Sequence, residues 1–282
     1  MNSWFPDEEL QKNYYGQDLI AKSTWYSEVA SAYDRVRPRY SDRLVNLAVD
    51  YAQLAPPANI LEIGCGPGIA TTSFARKGFS LLGLEPSLAA CEIARKNCAA
   101  YPGVKICQTT LEEWSVQSQE FDAVLAATSL HWVSPEIAYS KIAQALKNSG
   151  SLILFWNAGL HPDEAIEQLL QPIYQKFAPD LKPFRSQKQE QSELEAIGQA
   201  VCDSGYFQHL KSQCFTNQVN YSVTDYLLLL STYSPYIALE IKQRHSLFAA
   251  IEDSLQKVSE DSLSLSYLSM LQIFRLRQGA KD

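Results

Sequence analysis

Short apolar runs alternate with helical segments between residues 59 and 156, and no other feature restricts the possible folds as strongly. Near-continuous apolar strands separated by helices indicate a parallel sheet that is covered on both faces. Because crossovers between parallel strands are right-handed, the pattern predicts an α/β, Rossmann-like, doubly wound fold with ligands at the carboxyl ends of its strands. The runs that predict these strands span residues 60–63, 81–85, 104–107, 121–126 and 151–156.

The alternation lapses after the fifth strand, where the pattern predicts helical insertions. Residues 160–190 and 222–258 are expected to form lids over an acceptor site, because long insertions of this kind often carry binding functions. A helix at 193–204 is expected to pack on the sheet. Strands at 213–219 and 263–276 complete a seven-stranded sheet that is mostly parallel, with the last strand antiparallel beside the fifth.

Serines and glycines mark the ends of the predicted helices. Ser41, Ser87 and Ser134 stand where an N-cap is needed, since a serine hydroxyl can accept from the first free N–H groups of a helix. Gly103 and Gly150 follow two of these helices, and glycine is the usual residue past a helix end. We therefore expect the helix that starts after Ser134 to end at Gly150.

A glycine-rich turn from Glu62 to Gly68 joins the first strand to the next helix. Gly64, Gly66 and Gly68 allow the backbone to turn sharply and to approach a ligand closely, and the helix behind them offers unpaired N–H groups. The dinucleotide fingerprint requires G-x-G-x-x-G, whereas position 69 is Ile69 and the third glycine comes one residue early. Taken alone, the glycines are also compatible with a purely structural turn.

Glu85 ends the second predicted strand, 21 residues after Gly64. A carboxylate at this place can accept hydrogen bonds from both hydroxyls of a ribose. A single acid at a strand end is often merely solvated. In combination with the glycine turn, however, Glu85 predicts a site for a cofactor that contains a nucleoside.

These residues resemble class I S-adenosylmethionine-dependent methyltransferases, which share the turn at 62–68, the acid at Glu85 and the segment 121–124. The segment 26–38 and the pair His131-Trp132 are similar to a small-molecule group that includes trans-aconitate methyltransferases. The resemblance covers residues 26–156 and, beyond them, the four residues from Ser231 to Ser234. It implies S-adenosylmethionine as the cofactor and methyl transfer to a small molecule.

The resemblance also implies a role for individual residues. The glycines would lie against the methionine part, Leu111 and Glu112 would flank the adenine, and Ala127 and Thr128 would cover the cofactor beside the transferred methyl. Thr110 departs from the acidic or serine residue that is commoner there. The residues implied for the cofactor are Glu62, Gly64, Cys65, Gly66, Gly68, Glu85, Pro86, Leu111, Glu112, Ala127 and Thr128; for catalysis His131, Tyr33 and Arg37; and for the acceptor Trp132, Trp156, Tyr233 and Tyr236.

Two kinds of assignment stay open at this stage. His131 is either a general base or a hydrogen-bonded scaffold residue, and Trp132 and Trp156 are either core aromatics or site residues. A carboxylate acceptor is favoured because arginines at positions 35, 37 and 39 lie beside the cofactor motif. Hydroxyl, amine and carbon acceptors, a non-catalytic cofactor-binding module and a nicotinamide-dependent oxidoreductase remain as alternatives.

Composition limits the partners and the organisation of the chain. A net charge of −7 with no basic run argues against a nucleic-acid partner, and the six cysteines form no C-x-x-C pair or metal spacing. We find no segment typical of a signal peptide or membrane span, and we expect a cytoplasmic monomer or homodimer. The expected organisation is an arm at residues 1–25 and a single methyltransferase domain at 26–282, with its cofactor-binding core at 26–156.

Overall fold

The predicted strands pair into one mixed sheet in a computed structural model, which describes residues 19–258, 262–277 and 279. The five N-terminal strands are parallel and lie in the order β3-β2-β1-β4-β5. The bounds are β1 Asn59–Ile63, β2 Ser80–Glu85, β3 Val104–Gln108, β4 Phe121–Ala127, β5 Leu146–Asn157, β6 His161–Pro162, β7 Phe207–Tyr221 and β8 Leu263–Leu276.

The last strand, β8, runs antiparallel beside β5, which confirms that prediction. The other edge of the sheet differs in detail from the expectation. Strand β7 pairs with the whole of β8 from Phe207 to Tyr221, and is therefore twice as long as the predicted strand at 213–219. The described sheet also has an eighth strand, because the two residues of β6 pair with Ser266 and Leu265. A run of two residues that includes Pro162 has no periodicity from which a strand could be predicted.

Helices cover both faces of the sheet, and buried apolar side chains fill the space on each side of it. None of the described helices is long and apolar enough to cross a membrane. Their bounds are α1 Leu19–Trp25, α2 Ala30–Val36, α3 Asp42–Ala52, α4 Ile69–Ala75, α5 Leu88–Asn97, α6 Pro135–Ala145, α7 Glu164–Phe177, α8 Gln187–Asp203, α9 Val223–Ser231, α10 Ser234–Ile237 and α11 Ile241–Gln256.

Two of the three predicted helix caps form as expected. The Ser41 hydroxyl accepts from the Leu44 N–H and the Ser87 hydroxyl accepts from the Ala90 N–H, whereas the Ser134 side chain makes no capping bond. The prediction that Gly150 ends a helix is wrong. Helix α6 ends five residues earlier, and Gly150 lies inside β5, where a Cβ would come within 2.8 Å of the Leu146 side chain. Glycine is therefore needed there for packing.

The order of the strands creates the crevice in which the site lies. The chain passes from β1 outward through β2 to β3 and then returns to β4 on the opposite side of β1. Ligands of open α/β sheets bind at such a reversal, outside the carboxyl ends of the strands. The insertions pack on one another and on an N-terminal helix, since α11 contacts α7 and α9 contacts α2.

Candidate active site

A cleft lies at the carboxyl ends of β1, β2 and β4 and contains about 1430 Å³ of space unfilled by protein atoms, part of it open to solvent. The implied site residues that line it are Tyr33, Arg37, Glu62, Gly64, Cys65, Gly66, Glu85, Pro86, Leu111, Glu112, Ala127, Thr128, His131 and Trp132.

The glycines of the turn between β1 and α4 serve different purposes. All three have left-handed backbone angles, with φ between 53° and 86°. A Cβ on Gly64 would lie 2.8 Å from the Cβ of Ser129, whereas the space beside Gly66 is open to 4 Å. Gly68 does not line the cleft; it faces Ala94 and Cys98 of the α5 region, 3.4–3.5 Å from its would-be Cβ. In this structure Gly68 lets α4 pack closely against α5, whereas Gly64 and Gly66 line the cleft.

Glu85 is fixed by the turn that it faces. Its two carboxylate oxygens accept from the Gly66 N–H and the Ser87 N–H, each at 2.9 Å. The side chain is buried, and this burial raises the pKa of Glu85 to about 7, although the two hydrogen bonds act against the rise. Each oxygen keeps a lone pair for a further donor, so the carboxyl is oriented for a pair of hydroxyls.

Glu62 is a second buried carboxyl on the same side of the cleft. It accepts a hydrogen bond of 2.7 Å from the Thr71 hydroxyl. Burial, with a smaller contribution from the nearby Glu85, raises the pKa of Glu62 to about 8. No cation pairs with either carboxyl in the described part of the chain. The two acids therefore suit a ligand that brings hydroxyl donors and positive charge.

The segment after β3 closes one end of the cleft. Leu111 and Glu112 line the cavity, and Glu112 forms an ion pair of 2.6 Å with the buried Lys22 of α1. Thr110, the departure from the family pattern, accepts a hydrogen bond from the Glu113 N–H. The role of Lys22 was not predicted, because its segment has no clear periodicity and its partner lies 90 residues away.

A strained residue follows β4. Thr128 has φ of 55°, an uncommon angle for a β-branched residue. Three hydrogen bonds hold it: its N–H donates to the Phe155 carbonyl at 2.7 Å, and its hydroxyl bonds to the Tyr40 hydroxyl at 2.8 Å and the Asn157 N–H at 3.3 Å. Tyr40 and Asn157 also line the cleft, and neither has a sequence pattern that would have identified it.

Arg37 lies at the other end of the cleft, between two aromatic rings. Its guanidinium carbon is 4.8 Å from the ring centroid of Tyr33 and 4.0 Å from that of Tyr233. It donates to the hydroxyl and to the carbonyl of Thr232 at 2.8 and 2.9 Å. Within the described residues, Arg37 has no carboxylate partner, and three of its five N–H donors are unused.

His131 and Trp132 follow β4 and line the cleft. The His131 ring lies 5.1 Å from that of Trp132 and 5.7 Å from that of Trp156. Burial, together with the positive charge of Arg37, lowers the pKa of His131 to about 3. The imidazole is therefore neutral over the physiological range and is a weak base.

Three aromatic residues implied for the acceptor do not line the cleft. Trp156 is fully buried, and its indole N–H donates to Gln272 at 3.1 Å within the core. Tyr236 is buried, and its hydroxyl bonds to that of Tyr174 at 2.8 Å. Tyr233 contributes its ring to Arg37, and its hydroxyl accepts from the Leu160 N–H at 3.2 Å. Strand alternation explains why the Trp156 ring lies in the core, because adjacent residues of β5 point to opposite faces of the sheet.

Comparison with known proteins finds similar sequences for part of the chain and similar folds for most of it. Residues 60–150 match a family described as a methyltransferase domain. This chain is 31% identical over 132 residues to an uncharacterized methyltransferase, Rv3342, of Mycobacterium tuberculosis, which amounts to 47% of this chain and 51% of the relative. Over this segment the chain is similar to methyltransferase domains. A relative from Saccharomyces cerevisiae, 27% identical over 128 residues (44% of this chain and 43% of the relative), is described as a probable S-adenosylmethionine-dependent methyltransferase.

The chain matches only about half the length of that curated relative. The fold of a candidate type II methyltransferase from Anaeromyxobacter dehalogenans is similar, with a TM-score of 0.62, 18% identity and coverage of 85% of this chain and 97% of that one. The [4+2]-cyclase SpnF is also similar, with a TM-score of 0.56, 17% identity and coverage of 92% and 97%. At these identities the likeness establishes the fold, and a fold does not determine the reaction.

Proposed function

We propose that this protein transfers a methyl group from S-adenosylmethionine to a small-molecule acceptor that carries a carboxylate. The observation that carries the proposal is Arg37, a guanidinium with three unused donors and no acidic partner within the described residues. Arginine donors match the two oxygens of a carboxylate. The resemblance of the segment 26–38 and of His131-Trp132 to the trans-aconitate methyltransferase group supports the same acceptor class.

The opposite end of the cleft fits the cofactor. Glu85 would hold the ribose hydroxyls through its oriented carboxylate oxygens, the open space beside Gly66 would admit the chain of the methionine part, and Glu62 would hold its ammonium group. S-adenosylmethionine, when bound, would supply an electrophilic methyl group on a sulfonium: the acceptor oxygen would form the new C–O bond as the C–S bond breaks, and S-adenosylhomocysteine would leave. The protein then contributes alignment and exclusion of water, and proximity alone can account for several kcal/mol of the barrier.

The chemistry of the acceptor is consistent with the bases that the cleft offers. A carboxylate has a reference pKa near about 4 and is already a nucleophile at neutral pH, so no proton has to be removed. A phenol or an ammonium acceptor would need a general base with a pKa near the working pH. His131 does not meet that requirement, because its pKa is lowered to about 3. Transfer to a carboxylate yields an uncharged ester, which loses its ionic attraction to Arg37.

Replacement of Arg37 by methionine tests the proposal after a screen of small carboxylic acids, phenols and amines has identified an acceptor. We expect kcat/KM for the acceptor to fall about a hundredfold, since charge-assisted hydrogen bonds contribute about 1.5–3 kcal/mol. Affinity for S-adenosylhomocysteine, measured by calorimetry, should change less than about threefold. The matched control is Arg39→Met, because Arg39 is exposed and pairs with Asp34 outside the cleft.

Two outcomes would contradict the proposal. Loss of S-adenosylhomocysteine affinity with unchanged acceptor kinetics would assign Arg37 to the carboxylate of the cofactor. Methyl transfer to phenols or amines alone, with no turnover of any carboxylic acid in the screen, would exclude the acceptor class.

A further inference from the structure

Lys141 in helix α6 holds the segment after β3 from behind. Its ammonium group donates to three main-chain carbonyls, those of Leu111 at 2.9 Å, Glu112 at 2.6 Å and Trp114 at 2.9 Å. An ammonium has three donors, so all of them are used. Lys141 does not line the cleft, whereas Leu111 and Glu112 do. The lysine and the cleft therefore lie on opposite sides of the segment.

This arrangement fixes the direction of the N–H groups in the segment. In a planar trans peptide the carbonyl and the following N–H point in opposite directions. The peptide that joins Leu111 to Glu112 turns its carbonyl to Lys141, so the Glu112 N–H points away from the lysine, toward the cleft. The next peptide follows the same pattern. Its carbonyl, on Glu112, accepts from Lys141, and its N–H, on Glu113, donates to the Thr110 hydroxyl at 3.2 Å. The Glu112 N–H has no hydrogen-bond partner within the described residues.

A polar N–H that faces a cleft without a protein partner is suited to a ligand acceptor atom, since an unsatisfied donor is unfavourable once water is excluded. We propose that Lys141 is a positioning residue for the cofactor: it keeps the Glu112 N–H turned into the cleft as a donor to a ring nitrogen of the adenine. The proposal rests on the assignment of this cleft to S-adenosylmethionine. It adds a residue that does not contact the cofactor itself.

The test compares two ligands that differ in the base. S-inosylhomocysteine, the deaminated form of S-adenosylhomocysteine, carries a hydrogen on the ring nitrogen that accepts in adenine. The wild-type protein should bind it about tenfold or more weakly than S-adenosylhomocysteine, since an N–H would then face another donor. In Lys141→Met, which has similar length and no donor, affinity for S-adenosylhomocysteine should fall about tenfold. The ratio between the two ligands should fall below about threefold, because the Glu112 N–H is no longer held in place.

Lys147→Met is the matched control. Lys147 forms an ion pair of 2.7 Å with Asp122 away from the cleft, and both dissociation constants should stay at the wild-type values. Lys141→Arg should give an intermediate ratio, because a flat guanidinium cannot place donors on three carbonyls as the ammonium does. If Lys141→Met does not fold, the ratio of the two dissociation constants in Lys141→Arg and in the wild-type protein still tests the positioning role.

Each contrary result has a distinct meaning. A wild-type ratio near one, or a Lys141→Met variant that weakens both ligands equally, would overturn the positioning role and leave a purely structural one. If the wild-type protein bound neither ligand, the cofactor assignment itself would be wrong, and the proposal would fall with it. Binding of S-adenosylhomocysteine with an unchanged ratio would contradict the Lys141 proposal alone.

Discussion

The two ends of the cleft are constructed differently. At the cofactor end, the main contacts join neighbouring units of the chain: the Gly66 N–H and the Ser87 N–H both reach Glu85, over 19 and 2 residues. At the acceptor end, Arg37 is held by Thr232, 195 residues away, and Tyr233 reaches Leu160 over 73 residues. The first end depends on consecutive strand–turn–helix units, whereas the second depends on how the insertions pack against α2.

Backbone geometry should therefore decide binding at the cofactor end, and the largest effect is expected for Gly64→Ala. The new Cβ would lie 2.8 Å from the Ser129 Cβ at a left-handed φ of 61°, so the turn must shift away from β4. We expect affinity for S-adenosylhomocysteine to fall by about a hundredfold or more, equivalent to about 2.7 kcal/mol. Calorimetry gives the dissociation constant directly.

Gly205→Ala is the control for that substitution. Gly205 has φ of 82° and no atom within 4 Å of its would-be Cβ. It should lose about 1 kcal/mol of folding stability through the left-handed backbone alone and keep its cofactor affinity. Equal losses of affinity in both variants would show that general destabilisation, and not the shape of the turn, explains the effect of Gly64→Ala.

Glu85→Ala is expected to have the next largest effect. It removes a buried acceptor for two ribose hydroxyls and also leaves the N–H groups of Gly66 and Ser87 without their partner. The affinity for S-adenosylhomocysteine should fall by about 1.5–3 kcal/mol. Glu113→Ala removes the same charge from an exposed neighbouring position and should leave binding unchanged. If affinity is unaltered in Glu85→Ala, the carboxyl does not belong to the site.

Gly64 and Glu85 also show how much of the site could be predicted from sequence. The glycine turn and Glu85 are local features whose spacing specifies their geometry, and seven of the eight described strands overlap strands predicted from the sequence. The tertiary contacts that support the cleft could not be predicted in the same way. Asn157, Tyr40 and Lys141 have no pattern around them, because each acts through a partner that only tertiary packing brings near.

The aromatic residues predicted for the acceptor site show a second limit of prediction from sequence. Trp156 follows a strand toward the end where the site lies, yet strand alternation places its ring in the core, bonded to Gln272. Tyr233 and Tyr236 stand in the predicted lid, and their hydroxyls bond to Leu160 and Tyr174. Position along an element predicted proximity to the site, but it did not predict the direction of the side chain.

A smaller effect, about tenfold, should appear when cofactor binding is measured against pH. Burial raises the pKa of Glu85 to about 7 and that of Glu62 to about 8, so both carboxyls hold protons in the free protein near neutrality. A ligand that brings an ammonium group and hydroxyl donors favours their ionised forms, and binding then releases protons. Affinity for S-adenosylhomocysteine should therefore rise about tenfold from pH 6 to pH 7.5, and each tenfold step corresponds to about 1.36 kcal/mol.

Folding stability of the free protein should change in the opposite sense. Because the folded pKa values exceed the unfolded value of 4.5, these two groups stabilise the fold most below pH 4.5, and their contribution is lost as pH rises toward 8. Thermal melts with and without S-adenosylhomocysteine at pH 6 and pH 8 measure both effects. In Glu62→Gln the pH dependence of affinity should be weaker. A dependence identical to that of the wild-type protein would mean that Glu62 does not titrate on binding.

The smallest effect is expected at the acceptor end, in the pH–rate profile of His131→Ala. A His131 that acted as general base would need a conjugate acid with a pKa near the working pH. Burial and Arg37 instead lower the pKa of His131 to about 3, and a carboxylate acceptor needs no base at all. Turnover of the acceptor should be nearly flat above neutrality in the wild-type protein. In His131→Ala it should keep the same shape, with a rate loss well below a hundredfold from altered packing against Trp132. A rising limb near pH 6.5 that disappears in His131→Ala would contradict both the neutral scaffold role and the carboxylate acceptor, and would favour an acceptor that must lose a proton.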